Sequence, residues 1–265
     1  MTTATLSHRR SAGVTFPRVL RSEWVRLRSL RSTWITMLVT VVLVIGVGAL
    51  SCYGYVSRDH QELGIDPTFR SLVGTFFGQL AFGVLGVLVV TGEYATGMIR
   101  ATFASVPRRL TVFFGRLTVF AATTLVVLVP TAIVAFLVGQ SILSRDHVDT
   151  TLSAPHVLRG VLGCALYLVA IGIFGMALGW LIRNTSGAIF ALVGVLFVAP
   201  IVARFMPDPW PDRLIKWLPN GAGESIIHVH AEAKMFGPWA GFGVLMAYVG
   251  IVMVTAAVLL RARDV

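Results

Sequence analysis

Six stretches of this chain are almost entirely apolar, and each is about as long as a lipid bilayer is thick. A transmembrane helix needs about 20 mostly apolar residues. The stretches that meet this length are 34–56, 72–91, 112–138, 157–182, 187–205 and 239–260. The fourth and fifth are separated only by the short sequence RNTS, which predicts a tight helical hairpin. The pattern therefore predicts an all-α integral membrane protein with six transmembrane helices.

The residues before the first apolar stretch follow a helical pattern. Projected at about 100° per residue, six apolar side chains share an arc of roughly 140°, and arginines and serines fill most of the remainder. The six are Phe16, Val19, Leu20, Trp24, Leu27 and Leu30. Glu23 and Arg31 interrupt the apolar side. We interpret this segment as an amphipathic elbow helix that lies in the membrane interface and leads into the first span. The simpler alternative is a basic flank that only sets the topology. The candidate interfacial residues are Trp24, Leu27 and Arg28.

Composition and charge indicate how the chain sits in a membrane. Of its 265 residues, 56% are hydrophobic and only 13% are charged, whereas a soluble domain carries about 25% charged residues. The net charge of +10 could indicate a nucleic-acid partner. However, placing the N-terminus in the cytoplasm puts fourteen arginines and three acidic residues inside, against eight basic and nine acidic residues outside. This is a positive-inside distribution, so we expect both termini in the cytoplasm and no nucleic-acid partner.

These patterns divide the chain into three parts. Residues 1–33 form a cytoplasmic arginine-rich tail and the amphipathic helix, residues 34–260 form the six-span domain, and residues 261–265 form a cytoplasmic tail. Within the six-span domain, 92–111 is a cytoplasmic loop and 204–238 is the longest outer loop. The first apolar stretch starts too far from the N-terminal arginines for an ordinary signal peptide, so we expect a retained membrane anchor.

The central parts of the predicted spans contain no Asp, Glu, Lys or His. Arg116, Arg159 and Arg204 fall near span ends, where their side chains are expected to extend to the membrane surface. An ion-coupled carrier commonly uses a buried carboxylate or histidine relay, and these spans offer none. The chain also lacks a Walker A phosphate-binding loop and a catalytic pair of residues within the spans. We therefore expect no enzymatic activity and no cofactor on this chain, and any transport would need energy from another subunit.

The loop between the second and third spans, in the sequence GEYATGMIRATFASVPRR, has its own helical pattern. Glu93 stands near its start, where a carboxylate favours a helix N-terminus. Ile99, Phe103 and Val106 follow at i, i+4 and i+7 on one helical face, and Pro107 ends the helix. A short helix with an apolar face needs a partner, which is lipid, the chain's own spans or another protein.

The six-span plan, the arginine-rich sequence SEWVRLRSLRSTW and the loop sequence together resemble an ABC type-2 transporter permease, the membrane subunit of bacterial ABC exporters. That family has a pattern of Glu, Gly-Thr, Pro and Arg in this loop. Glu93, Gly97, Pro107 and Arg109 stand at the matching places, with Met98 where Thr is usual. The loop of an ABC importer permease has a different pattern, and this chain lacks its second half. By topology the resemblance covers nearly the whole chain, whereas the matching motifs are short.

The resemblance implies that the loop is a coupling helix, which docks in a groove of a separate ABC ATP-binding subunit and transmits its movement. ATP and Mg²⁺ would bind to that subunit. The permease would form its pathway as a dimer with a second copy or a sibling permease, surrounded by lipid of the bacterial plasma membrane. The implied docking residues are Glu93, Gly97, Ile99, Arg100, Phe103, Pro107, Arg108, Arg109 and, in the turn between the fourth and fifth spans, Arg183.

The outer loop 204–238 is rich in proline and tryptophan. Its tryptophans suit a membrane–water interface, and the resemblance implies that short re-entrant helices lie here. His228 and His230 are two residues apart and would converge on a ligand only in a strand. We therefore favour a solvated or capping role for this histidine pair over a metal site.

Two other hypotheses stay open at this point. One is a non-transport membrane scaffold or anchor that recruits a cytoplasmic partner through its basic inner face, and copurification without an ATPase would favour it. The other is an ion-coupled carrier, which would show a gradient-dependent flux with no nucleotide requirement.

Overall fold

The computed structural model describes residues 15–57, 66–99, 101, 109–229 and 235–262, and their regular structure is helical. Six helices of this described part are long and apolar enough to cross a membrane, which confirms the predicted number of spans. The long helices are α2 (Arg31–Val56), α4 (Thr75–Ala95), α5 (Arg109–Leu143), α6 (Val157–Ile182), α7 (Thr185–Arg204) and α10 (Pro238–Ala262). The shorter helices are α1 (Phe16–Ser29), α3 (Pro67–Ser71), α8 (Trp210–Trp217) and α9 (Pro219–Glu224).

Helix α5 extends beyond its predicted span at both ends. Its 35 residues measure about 52 Å at 1.5 Å per residue, whereas the hydrocarbon core of a bilayer is about 30 Å thick. Hydropathy predicted only residues 112–138, because the helix continues through polar residues such as Arg109 and Gln140. Pro130 lies inside the helix without ending it. The polar ends of α5 therefore reach past the apolar layer of the bundle.

Helix α6 forms the centre of the bundle, and its backbone packs directly against α4. In its most apolar window 83% of the residues are buried, compared with 22% in α7 and in α10. A Cβ atom on Gly86 would lie 1.9 Å from the carbonyl oxygen of Gly172, and one on Gly175 would lie 2.1 Å from that of Gly83. Small residues at such crossings allow close helix association in a membrane. The α4–α6 pair is therefore the core around which the other helices pack.

The turn between α6 and α7 is tight, as predicted from the short RNTS sequence. Arg183 follows α6 in a left-handed conformation with φ 58°. The Asn184 side chain then caps α7 by accepting a hydrogen bond from the backbone N–H of Gly187 at 2.8 Å. The hairpin thus uses two residues outside helices, because asparagine is an effective N-cap.

Backbone contacts identify two ends of the bundle. Arg26 of α1 donates a hydrogen bond to the carbonyl oxygen of Val89 near the end of α4, and Arg109 at the start of α5 donates to that of Leu260 near the end of α10. We call this end the terminal face, because the first and last described helices meet the other helices there. The opposite face holds α3, α8 and α9.

Helix α9 packs inside the opposite face and not on its surface. A Cβ atom on Gly223 would lie 2.6 Å from the Tyr167 ring in α6. Tyr167 is ten residues into α6, or about 15 Å from its start. Asn220 donates a hydrogen bond from Nδ2 to the carbonyl oxygen of Leu196 at 3.1 Å, in the π-helical turn Gly194–Val198 of α7. The loop 204–238 therefore contributes a buried helix to the bundle.

Candidate functional site

Four charged side chains meet where α1, α4 and α5 come together at the terminal face. They are Glu23 and Arg26 of α1, Glu93 of α4 and Arg116 of α5, and we call them the charge cluster. Arg116 is 1% exposed, Glu93 6% and Glu23 8%. The side chain of Arg26 is 25% exposed. The cluster therefore places two acids and two bases in the interior of a chain with few charged residues.

Each carboxylate of the charge cluster contacts both guanidinium groups. Arg116 donates to Glu23 from Nε at 3.0 Å and from Nη2 at 3.2 Å, and the same Nη2 donates to Glu93 at 2.9 Å. Arg26 Nη1 lies 2.5 Å from Glu93 Oε1 and 3.3 Å from Glu23 Oε2. The formal charges cancel, and the two-point contact of a guanidinium with a carboxylate fixes orientation as well as distance.

The surroundings of Arg116 make the charge cluster sensitive to the loss of one member. The Arg116 guanidinium carbon lies 5.3 Å from the ring centre of Trp180, so α6 adds a cation–π contact. Breaking a buried ion pair by removing one partner typically costs about 3–5 kcal/mol, because the remaining charge stays buried. We therefore expect α1, α4 and α5 to move together while the cluster is intact.

Helix α1 turns a mixed face toward α5, whereas the sequence pattern treated Glu23 as an interruption of an apolar face. The buried residues Val19, Glu23 and Leu27 follow at i, i+4 and i+8. Val19 packs against Gly115, where a Cβ atom would lie 2.8 Å from the valine Cγ1. The carboxylate fits on this face because Arg116 pairs with it. Three residues of the predicted apolar arc are exposed, namely Phe16, Trp24 and Leu30. Of the candidate interfacial residues, Trp24 and Arg28 are exposed.

Arg116 does not extend to the membrane surface, so this part of the sequence prediction is wrong. Two carboxylates lie within reach in the interior, and their attraction offsets the loss of hydration. Arg159 is also held by the protein, since its Nη2 donates to the carbonyl oxygen of His228 at 2.7 Å. Arg204, at the end of α7, is exposed as expected.

Glu93 does not begin a new helix, so its predicted place at a helix N-terminus is wrong. Helix α4 continues through Glu93 and ends at Ala95. Gly97 then turns the chain with φ 70°, a conformation that glycine adopts without strain, and residues 98, 99 and 101 are helical. The sequence GEYA contains no residue that stops a helix, and the carboxylate meets two arginines. Glu93 therefore attaches the start of the loop to the charge cluster.

The described part of the loop has one buried and one exposed side. Ile99 is 3% exposed and belongs to the hydrophobic core, whereas Met98 is 61% exposed. The predicted apolar face therefore packs against the chain's own helices at Ile99. The chain's own spans were one of the three partners considered for this face. The predicted docking residues that lie outside the described residues are Arg100, Phe103, Pro107 and Arg108.

The remaining predicted docking residues, Arg109 and Arg183, lie near the loop but outside the charge cluster. Arg109 starts α5 and donates from Nη1 to the carbonyl oxygen of Leu260 at 3.2 Å. The Arg183 guanidinium carbon lies 5.7 Å from the ring centre of Tyr94, in the last turn of α4. Arg183 Nε and Nη2 are buried without a hydrogen-bond partner among the described residues. The α6–α7 turn and the loop are therefore neighbours at the terminal face.

Sequence reasoning missed three members of the charge cluster, although a signal was present. With the N-terminus inside, the inner segments contain only three acidic residues, Glu23, Glu93 and Asp264, among fourteen arginines. Acids that are so outnumbered are expected to be paired, and Arg116 is the one of those arginines that falls within a predicted span. A search for acidic partners of Arg116, in addition to its distance from the end of the span, would have indicated this cluster.

No protein-family model and no curated protein matches the chain. In the part of the chain that the structure describes, no three His, Cys, Asp or Glu side chains come together as a metal site would need. The acids of the charge cluster are ion-paired, which suits them to joining helices and not to proton transfer.

Proposed function

We propose that this chain is the permease subunit of an ATP-driven ABC transporter, an exporter in the bacterial plasma membrane. The observation that carries the proposal is the charge cluster, which joins Glu93 at the start of the loop to α1 and α5. A force on the loop would reach three helices through Arg116. A permease needs such a connection to convert the movement of a separate subunit into a rearrangement of its spans.

The terminal face is the cytoplasmic side in this proposal. The support is the arginine excess of its segments, which follows the positive-inside rule. The partner would dock on the exposed side of the loop, which includes Met98, because Ile99 on the other side is already covered. ATP hydrolysis is assigned to the partner, since this sequence lacks a Walker A loop.

The proposed mechanism is alternating access in a pair of permease subunits. Nucleotide binding would move the ATP-binding subunits and displace the loop. Helices α4 and α5 would move with α1 because the charge cluster connects them, and the close glycine contact of α4 with α6 would carry the displacement to the centre. The pathway between the two permeases would then open alternately to either side.

Copurification tests this proposal. The tagged chain, extracted in a mild detergent, is expected to retain an ATP-binding protein with ATPase activity. Met98→Asp places a charge on the exposed side of the loop and should lower the retained ATPase roughly tenfold or more, as the loss of an interface hot spot does. The matched control is Leu158→Asp, which changes an apolar residue that is 51% exposed at the start of α6, on the opposite face.

Three results would contradict parts of the proposal. If the unaltered chain retains no ATPase, the permease function is wrong and a membrane scaffold is favoured. If both variants retain the ATPase with unchanged gel-filtration profiles, the exposed side of the loop is not the docking surface. Equal losses from both variants would mean that the charge, and not its place, disturbs the complex. Ile99→Ala is a poor probe, because Ile99 is buried and its truncation would disturb the core.

A further inference from the structure

A groove of about 520 Å³ lies between α1, the start of α2 and the middle of α5. Leu20, Arg21 and Trp24 line it from α1 and Trp34 from α2. The lining residues of α5 are Thr118, Val119, Ala122, Thr123, Val126 and Val127. Its lining is apolar except for Arg21 and the threonines Thr118 and Thr123. Because exposed side chains such as Trp24 line it, the groove opens to the outside of the bundle, and it lies next to the contact between α1 and α5.

The hydroxyl groups of α5 in the groove have no proton free to donate to a ligand. The Thr118 hydroxyl donates to the carbonyl oxygen of Phe114 at 2.8 Å, and the Thr123 hydroxyl donates to that of Val119 at 2.7 Å. Both hydroxyls are thus engaged by their own helix. Along most of its length the groove can accept only an apolar occupant.

The length of the groove matches one leaflet of a bilayer. Residues 118–127 of α5 are nine steps of 1.5 Å apart, which is about 14 Å along the helix axis. Half the hydrocarbon thickness of a bilayer is about 15 Å. An acyl chain that lies along α5 would therefore fill the groove from the headgroup level to the middle of the membrane.

The charge at the mouth of the groove favours an anionic headgroup. Arg21 is exposed and makes no ion pair with any described residue. The only acidic residue of α1, Glu23, is already paired with Arg26 and Arg116. Trp24 and Trp34 flank the mouth and are each 42% exposed, as expected for indole rings at the headgroup level.

We propose that this groove binds one acyl chain of an anionic phospholipid, with its phosphate against Arg21. The bound chain would lie against Leu20 and Trp24 of α1 and against Val119 and Val126 of α5, and would hold α1 against α5. This inference requires only that the chain span a membrane, and it does not depend on the proposed coupling to an ATP-binding subunit.

Native mass spectrometry of the full chain in mild detergent tests the proposal. The probes are phosphatidylglycerol and phosphatidylcholine with identical acyl chains. One tightly held phosphatidylglycerol per chain is expected, preferred over phosphatidylcholine by roughly fivefold for one arginine near the headgroup. Arg21→Gln should remove this preference. Arg204→Gln, at an exposed arginine on the opposite face, should leave it unchanged.

A second pair of variants tests the groove itself. Ala122→Trp fills the groove and should abolish the tightly held lipid, and Val126→Phe should weaken it. The matched control is Ile251→Trp, at a residue of α10 that is 66% exposed. Circular dichroism and gel filtration check that each variant folds.

The same spectra contain the results that would overturn the proposal. Retention of the lipid by well-folded Ala122→Trp and Val126→Phe would mean that the groove is not its site. Equal retention of the two lipids by the unaltered chain would exclude recognition of the negative charge. Loss of a dimer on filling the groove, without loss of lipid, would identify a second copy of this chain as the occupant.

Discussion

The two ends of the bundle hold acidic groups in different ways, with two buried acids at the terminal face and a half-buried acid at the opposite face. At the terminal face, Glu23 and Glu93 contact two arginines at 2.5–3.3 Å. At the opposite face, the carboxyl group of Glu224 in α9 has no hydrogen-bond or ion-pair partner in the described ranges. Burial raises the pKa of Glu224 from its ordinary value of 4.5 to about 7. One end therefore carries a charge-balanced contact, and the other carries a carboxyl group that titrates near neutral pH.

This difference separates two uses of an acidic residue in an apolar chain. Paired with guanidinium groups, an acid can connect helices, because moving one helix alone would expose an unpaired charge. Without a partner, an acid makes the packing of its helix depend on its protonation. We expect the terminal face to behave as one connected unit where its two acids are ionised, although burial raises the pKa of Glu23 as well. We expect the packing of α9 to respond to pH near neutrality.

The largest effect is expected from Arg116→Met at the terminal face. This change leaves Glu23 and Glu93 with Arg26 as their shared partner, and the free energy of unfolding should fall by about 3–5 kcal/mol. Thermal unfolding in detergent, followed by tryptophan fluorescence, measures the loss. Arg204→Met, at an exposed arginine, should change stability by less than about 0.5 kcal/mol. Equal unfolding temperatures for the two variants would show that the charge cluster does not stabilise the fold.

An intermediate effect is expected from Gly223→Ala at the opposite face. The added methyl group would lie 2.6 Å from the Tyr167 ring and 2.7 Å from Leu245, so α9 has to shift. Overpacking of this kind costs about 1–3 kcal/mol. Gly237→Ala is the matched control in the same loop, because no atom lies within 4 Å of its added Cβ. If both variants unfold like the unaltered chain, the insertion of α9 does not contribute to stability.

The smallest effect is expected from Glu224→Gln, because the carboxyl group is partly exposed and solvent reduces the penalty for its charge. This effect depends on pH. Because the pKa of Glu224 is raised on folding, the folded chain binds the proton more tightly than the unfolded chain. Stability should therefore fall as pH rises from 4.5 to about 7, by less than the limit of about 1.4 kcal/mol per pH unit for one proton.

The comparison is made by thermal unfolding at several values between about pH 5 and pH 8. The unaltered chain should lose stability over this range relative to Glu224→Gln, which lacks the titrating group. Parallel curves for the two proteins would mean that Glu224 is ionised without penalty in the folded chain.

The number and approximate bounds of the spans could be predicted because hydropathy depends on each residue alone. The charge cluster could not be found in this way. Arg116 is costly in lipid by itself, and only its contacts with Glu23 and Glu93 make its burial acceptable. The sequence identified Glu93 as important from a motif, but it placed the residue at the wrong end of a helix. Ion pairs between residues that are far apart in the sequence can be identified only once the fold is known.

Helix α9 illustrates a second limit of sequence patterns. Its sequence PNGAGE has few apolar side chains, so hydropathy treats it as loop. Its small residues instead allow close approach to α6 and α10, with Ala222 and Gly223 buried. The resemblance to ABC permeases did imply short re-entrant helices in this loop, but the residues alone gave no reason for α9 to be buried. Close packing of small residues depends on the shape of the neighbouring helices.

The π-helical turn in α7 determines which residues of the fifth span face outward. A π-helical turn contains one residue more than an α-helical turn, so it rotates the second half of the helix by about 100° relative to the first. Phe190 before the turn is 78% exposed and Ile201 after it is 55% exposed. If the same residues formed a continuous α-helix, Ile201 would be rotated by about 100° toward other neighbours. The outward surface of this span therefore depends on the π-helical turn, to which Asn220 of α9 donates a hydrogen bond at the carbonyl oxygen of Leu196.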